Sequence, residues 1–256
     1  MENEKLINIE IDGKQIAVPQ GTTVLEAARK LGIKIPTLCH NDSLSKKAAC
    51  RICIVEMSIE KRGETYQWID ASCVYRVEEG LIVETRSPKA LRERKVIIEM
   101  LIARAPDSEI LNEIATELGA DKNRFVSIDN GASKCILCGL CTRVCEEQVH
   151  VGCIGTAFRG IHKKVMTPYE LASKTCIACG ACAYLCPTGV IKMTKSAGMI
   201  EVDMWDVKIR AQACTDCGKE FASLSQMGKI NPNVVLRKDI MDKCPDCRRK
   251  TAYILP

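Results

Sequence analysis

Seventeen cysteines dominate the chemistry available to this chain of 256 residues. Most of them stand in tight C-x-x-C units, a spacing that favours metal binding over disulfides in an intracellular protein. Sixteen divide into four groups of four, and four thiolates are what a tetrahedral ion or an iron–sulfur cluster requires. In chain order the groups are Cys39, Cys50, Cys53 and Cys73; Cys135, Cys138, Cys141 and Cys145; Cys176, Cys179, Cys182 and Cys186; and Cys214, Cys217, Cys244 and Cys247.

The second and third groups each read C-x2-C-x2-C-x3-C, and the third continues into Pro187, as in bacterial ferredoxins. In two-cluster ferredoxins the fourth cysteine of each run ligates the other cluster. Two [4Fe–4S] clusters are therefore predicted, one on Cys135, Cys138, Cys141 and Cys186, and one on Cys145, Cys176, Cys179 and Cys182. Gly139 and Gly180 follow the second cysteine of each run, where a compact turn is expected. A pair of zinc sites is the alternative, which three cysteines at such short spacing disfavour.

The first group reads C-x10-C-x2-C-x19-C, with a longer first gap than the plant-type [2Fe–2S] pattern. The residues around it predict a β-grasp ferredoxin that holds a [2Fe–2S] cluster on Cys39, Cys50, Cys53 and Cys73. A helix over 24–31, capped by Thr22 or Thr23 and ended by Gly32, follows two strands joined at a turn. Strands are expected at 7–11, 15–18, 52–57 and 81–83. A zinc site in a ubiquitin-like fold is the alternative.

The fourth group consists of two C-x-x-C knuckles separated by 26 residues. Two knuckles make one tetrahedral site on Cys214, Cys217, Cys244 and Cys247, as in zinc ribbons. Rubredoxin holds a single iron in the same way, but with an aromatic core, and only Phe221 is aromatic between these knuckles. Structural zinc is therefore favoured, with rubredoxin-type iron and a further iron–sulfur cluster as alternatives.

Other residues receive simpler interpretations. Cys153 stands outside the four groups and is expected to be a buried small apolar residue, with ligand exchange as the alternative. His40 is expected to be a solvated loop residue. Helices are expected near 92–103 and 109–118, and the glycine-rich stretch 152–160 is expected to be a loop. The sequence contains neither a G-x-G-x-x-G loop nor a P-loop, so no flavin or NAD site and no catalytic residue are predicted on this chain.

Charge and hydropathy exclude two classes of partner. The formal net charge of +5 counts the cysteines as neutral. Four thiolate-bound centres would add about −8, giving about −3, so the basic residues are no argument for nucleic acid. The first residues are polar and acidic, and the longest apolar stretch, 96–103, contains Glu99, so neither a secretory signal nor a membrane span is expected. A cytoplasmic protein is predicted.

Several segments resemble a known family. Residues 35–39, 50–56 and 71–73 resemble the [2Fe–2S] domain of NADH-linked oxidoreductases, in which the ten-residue gap also occurs. That family includes the large iron–sulfur subunit of respiratory complex I, the diaphorase small subunit of NAD-reducing hydrogenases and the N-terminal part of iron-only hydrogenases. Residues 135–148 and 158–160 are similar to its two-cluster segment, so the resemblance covers roughly residues 5–200.

The resemblance implies an iron–sulfur electron-relay subunit of a multisubunit NAD(P)H/ferredoxin oxidoreductase. A flavin- and NADH-binding subunit and a further flavoprotein would be its partners in a hetero-oligomer, and ferredoxin a possible one. The family's segment with one His and three Cys has its counterpart in 102–118, which contain neither residue, so its [4Fe–4S] cluster is expected to be absent. Cysteines for a hydrogen-evolving cluster are also missing.

These absences favour the hydrogenase-like subunit of an electron-bifurcating, NADH-dependent ferredoxin:NADP transhydrogenase of the Stn type. A diaphorase-side subunit of an NAD-linked hydrogenase or formate dehydrogenase is the alternative, and a zinc or iron–sulfur interaction or sensor protein is a third. The expected fold class is α+β in four parts. These are a β-grasp domain (1–85), a helical linker (86–125), a two-cluster ferredoxin domain (126–200) and a zinc-ribbon-like module (201–256).

Overall fold

The computed structural model describes residues 5–127, 134–171, 174–229 and 241–252. The chain forms two compact units, Met1–Leu140 and Cys141–Pro256. Both combine helices with β-sheets, so the mixed α and β composition predicted from the sequence is confirmed. No helix in these ranges combines the length and the apolar character needed to cross a bilayer.

The first unit contains a five-stranded mixed sheet. Its strands are β1 (Leu6–Ile11), β2 (Lys14–Pro19), β3 (Ile54–Lys61), β4 (Glu64–Ala71) and β5 (Leu81–Glu84), in the order β2-β1-β5-β3-β4. Strands β1 and β5 run parallel, and the other neighbours are antiparallel. Alternate residues of β1 and β5, including Ile9 and Leu81, are buried in one apolar core together with Val24 and Leu25 of the first helix. One face of the sheet is therefore covered by that helix.

The first helix, α1 (Val24–Lys30), begins where the sequence predicts. Thr23, and not Thr22, is its N-cap: the Thr23 hydroxyl accepts from the amide of Glu26, and the Glu26 carboxylate accepts from the amide of Thr23 at 2.8 Å. This reciprocal capping box satisfies two amides that the helix itself leaves unpaired. Gly32 follows with a φ of +74°, a left-handed conformation that stops the helix.

Strand β4 was not predicted from the sequence. It lies at the edge of the sheet and pairs only with β3, and its first four residues are exposed. An edge strand with little buried surface lacks the alternation of apolar and polar residues on which strand prediction rests. The strands predicted at 7–11, 15–18 and 81–83 are confirmed, and the one predicted at 52–57 begins two residues later, at Ile54.

Two helices complete the first unit, α2 (Pro88–Arg104) and α3 (Glu109–Leu118), which confirms both helical predictions. Buried Arg94 of α2 donates two hydrogen bonds, from Nε at 2.9 Å and from Nη2 at 2.5 Å, to the carbonyl of Ile54. Buried Glu99 accepts from the amide of Asp121 at 2.9 Å and from Arg124 at 3.0 Å. These bonds fix α2 to the sheet on one side and to the segment after α3 on the other.

The second unit contains a two-stranded and a four-stranded sheet. The strands are β6 (Gly155–Ala157) with β7 (Lys164–Met166), and β8 (Met193–Ser196), β9 (Met199–Val202), β10 (Val207–Ala213) and β11 (Glu220–Ser223) in the order β11-β10-β9-β8. The described helices are α4 (Leu140–Arg143), a π-helical turn (Val144–Gln148), α5 (Ala181–Tyr184), α6 (Leu224–Lys229) and α7 (Pro245–Ala252).

Two sequence expectations meet this unit. The prediction that 152–160 form a loop is wrong in part, because Gly155–Ala157 pair with Lys164–Met166 as a short hairpin. The predicted division after residue 200 falls inside β9, which pairs with β8 on one side and with β10 on the other. The four-part division of the chain stays a prediction.

Candidate metal centres

The first cysteine quartet, Cys39, Cys50, Cys53 and Cys73, lies inside the first unit, each residue being 1–4% exposed. The amide of Cys50 donates to the sulfur of Cys39 at 3.4 Å. A hydrogen bond from Cys73 lowers the pKa of Cys53 to about 7, whereas contact with Cys39 and burial raise the pKa of Cys50. The four thiols therefore lie close together in pairs, each pair joining two distant parts of the sequence.

The loops around the C-x-x-C units share one backbone feature. Arg51, Leu137 and Ala178 each precede or follow a ligand-type cysteine and have φ values of +59°, +55° and +47°. Gly139 and Gly180 adopt φ values of +71° and +80°, so the compact turns predicted at these glycines are confirmed. Left-handed residues next to right-handed ones turn successive amides toward one point, and such concavities bind anions, including iron–sulfur sites.

The residues predicted to hold the first [4Fe–4S] cluster are divided between the two units. Half-buried Cys135 and Cys138 lie in the first unit, and Cys141 and Cys186 lie in the second. The carbonyl of Cys135 accepts from Nε of Arg104 at 3.2 Å, which attaches this loop to the end of α2. The sulfur of Cys186 lies 3.5 Å from the hydroxyl of Thr188.

The residues predicted to hold the second [4Fe–4S] cluster lie together in the second unit. Cys145, Cys176, Cys179 and Cys182 all line one cavity, which we call the Cys145 cavity. Its other lining residues are Val144, Val149, Val151, Cys153, Ile154, Ile177, Ala178, Gly180, Ala181, Val202 and Trp205. None of these side chains is charged. Four thiols around an apolar, enclosed space are what a thiolate-ligated iron–sulfur cluster requires.

Two of these thiols are poised to ionise. A hydrogen bond from Cys153 lowers the pKa of Cys145 to about 6 and that of Cys176 to about 7. Burial raises the pKa of Cys182, an effect opposed by the indole N–H of Trp205. Because thiolates are the form that binds metal, a lowered pKa favours ligation.

Cys153 and Trp205 are cavity residues that sequence reasoning missed. Cys153 is buried as predicted, but it is not a plain apolar residue, because its sulfur lies 3.5 Å from that of Cys145. Its spacing of eight residues from Cys145 matches no ligand motif, so the spacing supports only the bare alternative of ligand exchange. Trp205 reaches the cavity from a turn after β9, and no local pattern marks it.

The C-terminal quartet, Cys214, Cys217, Cys244 and Cys247, is brought together as predicted. All four sulfurs lie within 4.8 Å of one another, and those of Cys217 and Cys244 are 3.7 Å apart. A tetrahedral ion with metal–sulfur bonds of about 2.3 Å places its ligands about 3.8 Å apart. Within the described ranges, no other group of three or more thiols, carboxylates and imidazoles converges as closely. The spacing fits a single ion better than a cluster.

Hydrogen bonds and ion pairs stabilise the knuckles around this quartet. The amide of Cys244 donates to the sulfur of Cys214 at 3.2 Å. Burial raises the pKa of Cys214, but amide hydrogen bonds from Cys244 and from its own knuckle outweigh that effect and lower the pKa to about 6. Lys243 pairs with Asp216 at 2.9 Å, joining the second knuckle to the first.

The prediction for His40 is wrong. Its side chain is only 2% exposed, and Nε2 lies 2.9 Å from a carboxylate oxygen of Asp42, which also accepts from Arg29 at 2.7 Å. A charged partner two residues away explains why this histidine is held against the protein rather than solvated.

Two family models match the chain. A 2Fe-2S iron–sulfur cluster binding domain matches residues 4–88, and a 4Fe-4S dicluster domain matches residues 134–190. The first range contains the first quartet, and the second contains both C-x2-C-x2-C-x3-C runs. The predicted presence of [2Fe–2S] and [4Fe–4S] domains is therefore confirmed.

Three curated relatives are components of larger enzymes. The second G-type component of the NADH-quinone oxidoreductase of Rhizobium meliloti is 30% identical over 83% of this chain. The HndD component of the NADP-reducing hydrogenase of Solidesulfovibrio fructosivorans is 30% identical, and the alpha component of the NADPH-Fe(3+) oxidoreductase of Geobacter sulfurreducens is 32% identical, each over 73% of this chain. The chain spans 27%, 36% and 24% of the length of these three relatives.

A solved structure points the same way. The crystal structure of an NAD+-reducing [NiFe]-hydrogenase in the H2-reduced state matches with a TM-score of 0.52 and 28% sequence identity, over 63% of this chain and 74% of that chain. The resemblance identified from the sequence is confirmed: this chain is related to the iron–sulfur subunits of NAD(P)-linked oxidoreductases and hydrogenases.

Proposed function

We propose that this chain is the electron-relay subunit of a cytoplasmic, multisubunit NAD(P)H/ferredoxin oxidoreductase. The specific activity we propose is electron-bifurcating, NADH-dependent ferredoxin:NADP transhydrogenation. A flavin- and NADH-binding subunit would exchange electrons with the [2Fe–2S] end of this chain. A second flavoprotein would exchange them with the [4Fe–4S] end, with ferredoxin as a further partner.

One observation in the first unit carries the relay proposal. Cys39 and Cys50 of the first quartet share one apolar cluster with Ile136 and Cys138 of the first [4Fe–4S] run. Residues of α2 and α3, including Ile98 and Leu111, fill the space between them. The helices that the sequence predicts as a linker thus hold cysteines of two different groups against one core. This packing supports electron transfer between adjacent centres.

We assign the ligands as the sequence predicts them. The [2Fe–2S] cluster is held by Cys39, Cys50, Cys53 and Cys73, and the [4Fe–4S] clusters by Cys135, Cys138, Cys141 and Cys186, and by Cys145, Cys176, Cys179 and Cys182. When bound, the clusters supply one-electron chemistry, which thiols alone lack. The protein residues hold the thiolates in place, exclude water and adjust potentials through hydrogen bonds to sulfur.

We assign the C-terminal quartet to a single zinc ion. The spacing of its sulfurs supports a mononuclear site, and the distance of 3.7 Å between Cys217 and Cys244 equals that of a tetrahedral ligand pair. The same geometry suits one rubredoxin-type iron but leaves too little room for an additional cluster. Zinc is preferred over iron because Phe221 is the one aromatic residue packed against the quartet among the described residues.

The alternative is a diaphorase-side subunit of an NAD-linked hydrogenase or formate dehydrogenase. Its specific support is the [NiFe]-hydrogenase structure, of which this chain covers 74% of one subunit. The relay within the chain would be the same in both cases. Only the enzyme at its far end would differ.

Native mass spectrometry of the complex that co-purifies with this chain under anaerobic conditions separates the two functions. We expect a flavin- and NAD-binding subunit together with a second flavoprotein, and activity in a coupled assay of NADH, ferredoxin and NADP. A hydrogenase or formate dehydrogenase catalytic subunit in their place would favour the alternative. A chain recovered with no redox partner, and with no electron transfer from NADH, would contradict both.

A further inference from the structure

Two polar groups in the Cys145 cavity belong to neither cysteine run. The first is the thiol of Cys153, which is 6% exposed and whose sulfur lies 3.5 Å from that of Cys145. The carbonyl of Cys145 accepts from the amide of Gly152 at 3.1 Å. This backbone bond closes the loop from the π-helical turn back on itself and holds Cys153 beside its partner.

The second group is the indole N–H of Trp205. The side chain is 3% exposed, and its Nε1 atom has no hydrogen-bond acceptor at ordinary distance among the residues that the structure describes. Leaving a buried donor unpaired costs about 1–3 kcal/mol, so such a group indicates a partner. Trp205 lines the Cys145 cavity, and the nearest group with which its N–H interacts is the thiol of Cys182.

Trp205 is held rigidly in this position. It ends the turn Asp203–Trp205, which directly follows β9, and the adjacent Val202 also lines the cavity. Strand β9 pairs on both sides, with β8 and with β10. The loop of the second run is also attached to this sheet, because the hydroxyl of Ser223 donates to the carbonyl of Ile177. The sheet that follows the matched dicluster segment therefore completes the cavity.

Donors at these two places have a defined electrostatic effect on a thiolate-ligated cluster. Reduction adds one negative charge, part of which resides on the sulfurs. An S–H or N–H group that donates to a ligand sulfur stabilises the reduced state more than the oxidised one. The effect is strong here because the cavity is apolar and its lining carries no charged side chain.

We propose that Cys153 and Trp205 are positioning residues that donate hydrogen bonds to the thiolates of Cys145 and Cys182, and so raise the reduction potential of the second [4Fe–4S] cluster. This inference rests on the ligand assignment made under the proposed function. It assigns to the sheet after residue 190 a role in tuning the relay.

The test is an EPR-monitored redox titration of the full chain in its native complex, comparing Trp205→Phe and Cys153→Ala with the wild type. Each variant removes one donor while keeping most of the packing. We expect one [4Fe–4S] signal to shift to a lower midpoint potential by about 59 mV, a tenfold change for a one-electron couple. The [2Fe–2S] signal and the other [4Fe–4S] signal should not shift.

Three matched variants make the test specific. Cys153→Ser keeps a donor and should stay near the wild-type potential. Trp68→Phe alters the other tryptophan, which packs against Tyr75 in the first unit, and should shift no [4Fe–4S] signal. Thr188→Val removes the hydroxyl next to Cys186 and should shift the other [4Fe–4S] signal instead.

Unchanged potentials in Trp205→Phe and Cys153→Ala would overturn the inference, and a shift in only one would overturn the role of the other residue. Loss of the cluster in Cys153→Ala would mean that Cys153 is a ligand and not a donor. Failure of the proposed function is distinguishable from these results. In that case the wild-type complex itself would lack a second [4Fe–4S] signal in Mössbauer and EPR spectra.

Discussion

The first quartet and the C-terminal quartet both consist of four cysteines, but they stand in opposite relations to the surrounding protein. Cys53 and Cys73 belong to an apolar core that also contains residues of three strands and of α1. The C-terminal quartet forms its own core, in which Phe221 is the one other described hydrophobic residue. In the first case the fold holds the ligands, and in the second the metal holds the fold.

The largest expected effect follows from removing the C-terminal metal. Cys244→Ser should abolish binding of that ion and unfold the described part of residues 207–252, because structural zinc contributes about 10–16 kcal/mol in zinc-finger peptides. Hydrogen exchange measured by mass spectrometry should show loss of protection in β10 and β11. Ser225→Ala, at an exposed position of α6, is the matched control. Retained protection in Cys244→Ser would mean that this module folds without metal.

Removing the [2Fe–2S] ligand Cys50 should have the opposite outcome. Cys50→Ala should lose the [2Fe–2S] EPR signal and the coupling of NADH to ferredoxin. Amide protection in β1, β3 and β5 should persist, since their core contains 17 buried residues, of which Cys50 is not one. Loss of protection across this sheet would remove the distinction between the two quartets, and full coupled activity would contradict the relay role.

The attachment of α2 to the sheet can be weakened without touching a cysteine. Arg94→Met removes two hydrogen bonds to the carbonyl of Ile54 while keeping the length of the side chain. We expect the free energy of unfolding of the first unit to fall by about 2–3 kcal/mol, since hydrogen bonds to charged groups are strong and the carbonyl loses its partner. Urea denaturation measures the change, and Arg92→Met, at an exposed position of the same helix, should cost little.

The smallest effect concerns pH and the capping box of α1. Burial raises the pKa of Glu26, but hydrogen bonds from Lys46 and Thr23 outweigh it, so the net pKa lies below its ordinary value of 4.5. A carboxylate with a lowered folded-state pKa stabilises the protein above its unfolded-state pKa, and this stabilisation is lost as the pH falls through the folded-state pKa.

Glu26→Gln should therefore destabilise the first unit at pH 7 by less than about 1 kcal/mol, because the carboxylate is partly exposed and screened. The difference from wild type should shrink as the pH falls below 4.5. Urea midpoints recorded between neutral and acidic pH measure it, with exposed Glu60→Gln as control. A difference that stays constant with pH would show that the ionised carboxylate is not the stabilising group.

The sequence predicts best where a local pattern is sufficient. The alternation in 7–11, the capping residues around Thr23 and the cysteine spacing each carry their information within a few residues, and the elements they predict are present. Strand β4 lacks such a pattern because it is an exposed edge strand. The hairpin at Gly155–Ala157 is too short for one.

The parts of the candidate site that could not be predicted depend on tertiary contacts. Trp205 reaches the Cys145 cavity only because β9 is paired on both sides. Cys153 approaches Cys145 only because the chain between them turns back through hydrogen bonds to the carbonyl of Cys145. His40 is buried because Asp42 and Arg29 surround it. None of these arrangements is encoded in spacing alone.

Quantitative iron and zinc analysis of the anaerobically purified chain tests the central distinction most directly. Our account predicts about ten iron and about one zinc per chain, for one [2Fe–2S] cluster, two [4Fe–4S] clusters and one mononuclear zinc site. About fourteen iron without zinc would mean that the C-terminal quartet holds a further cluster, and would contradict the account.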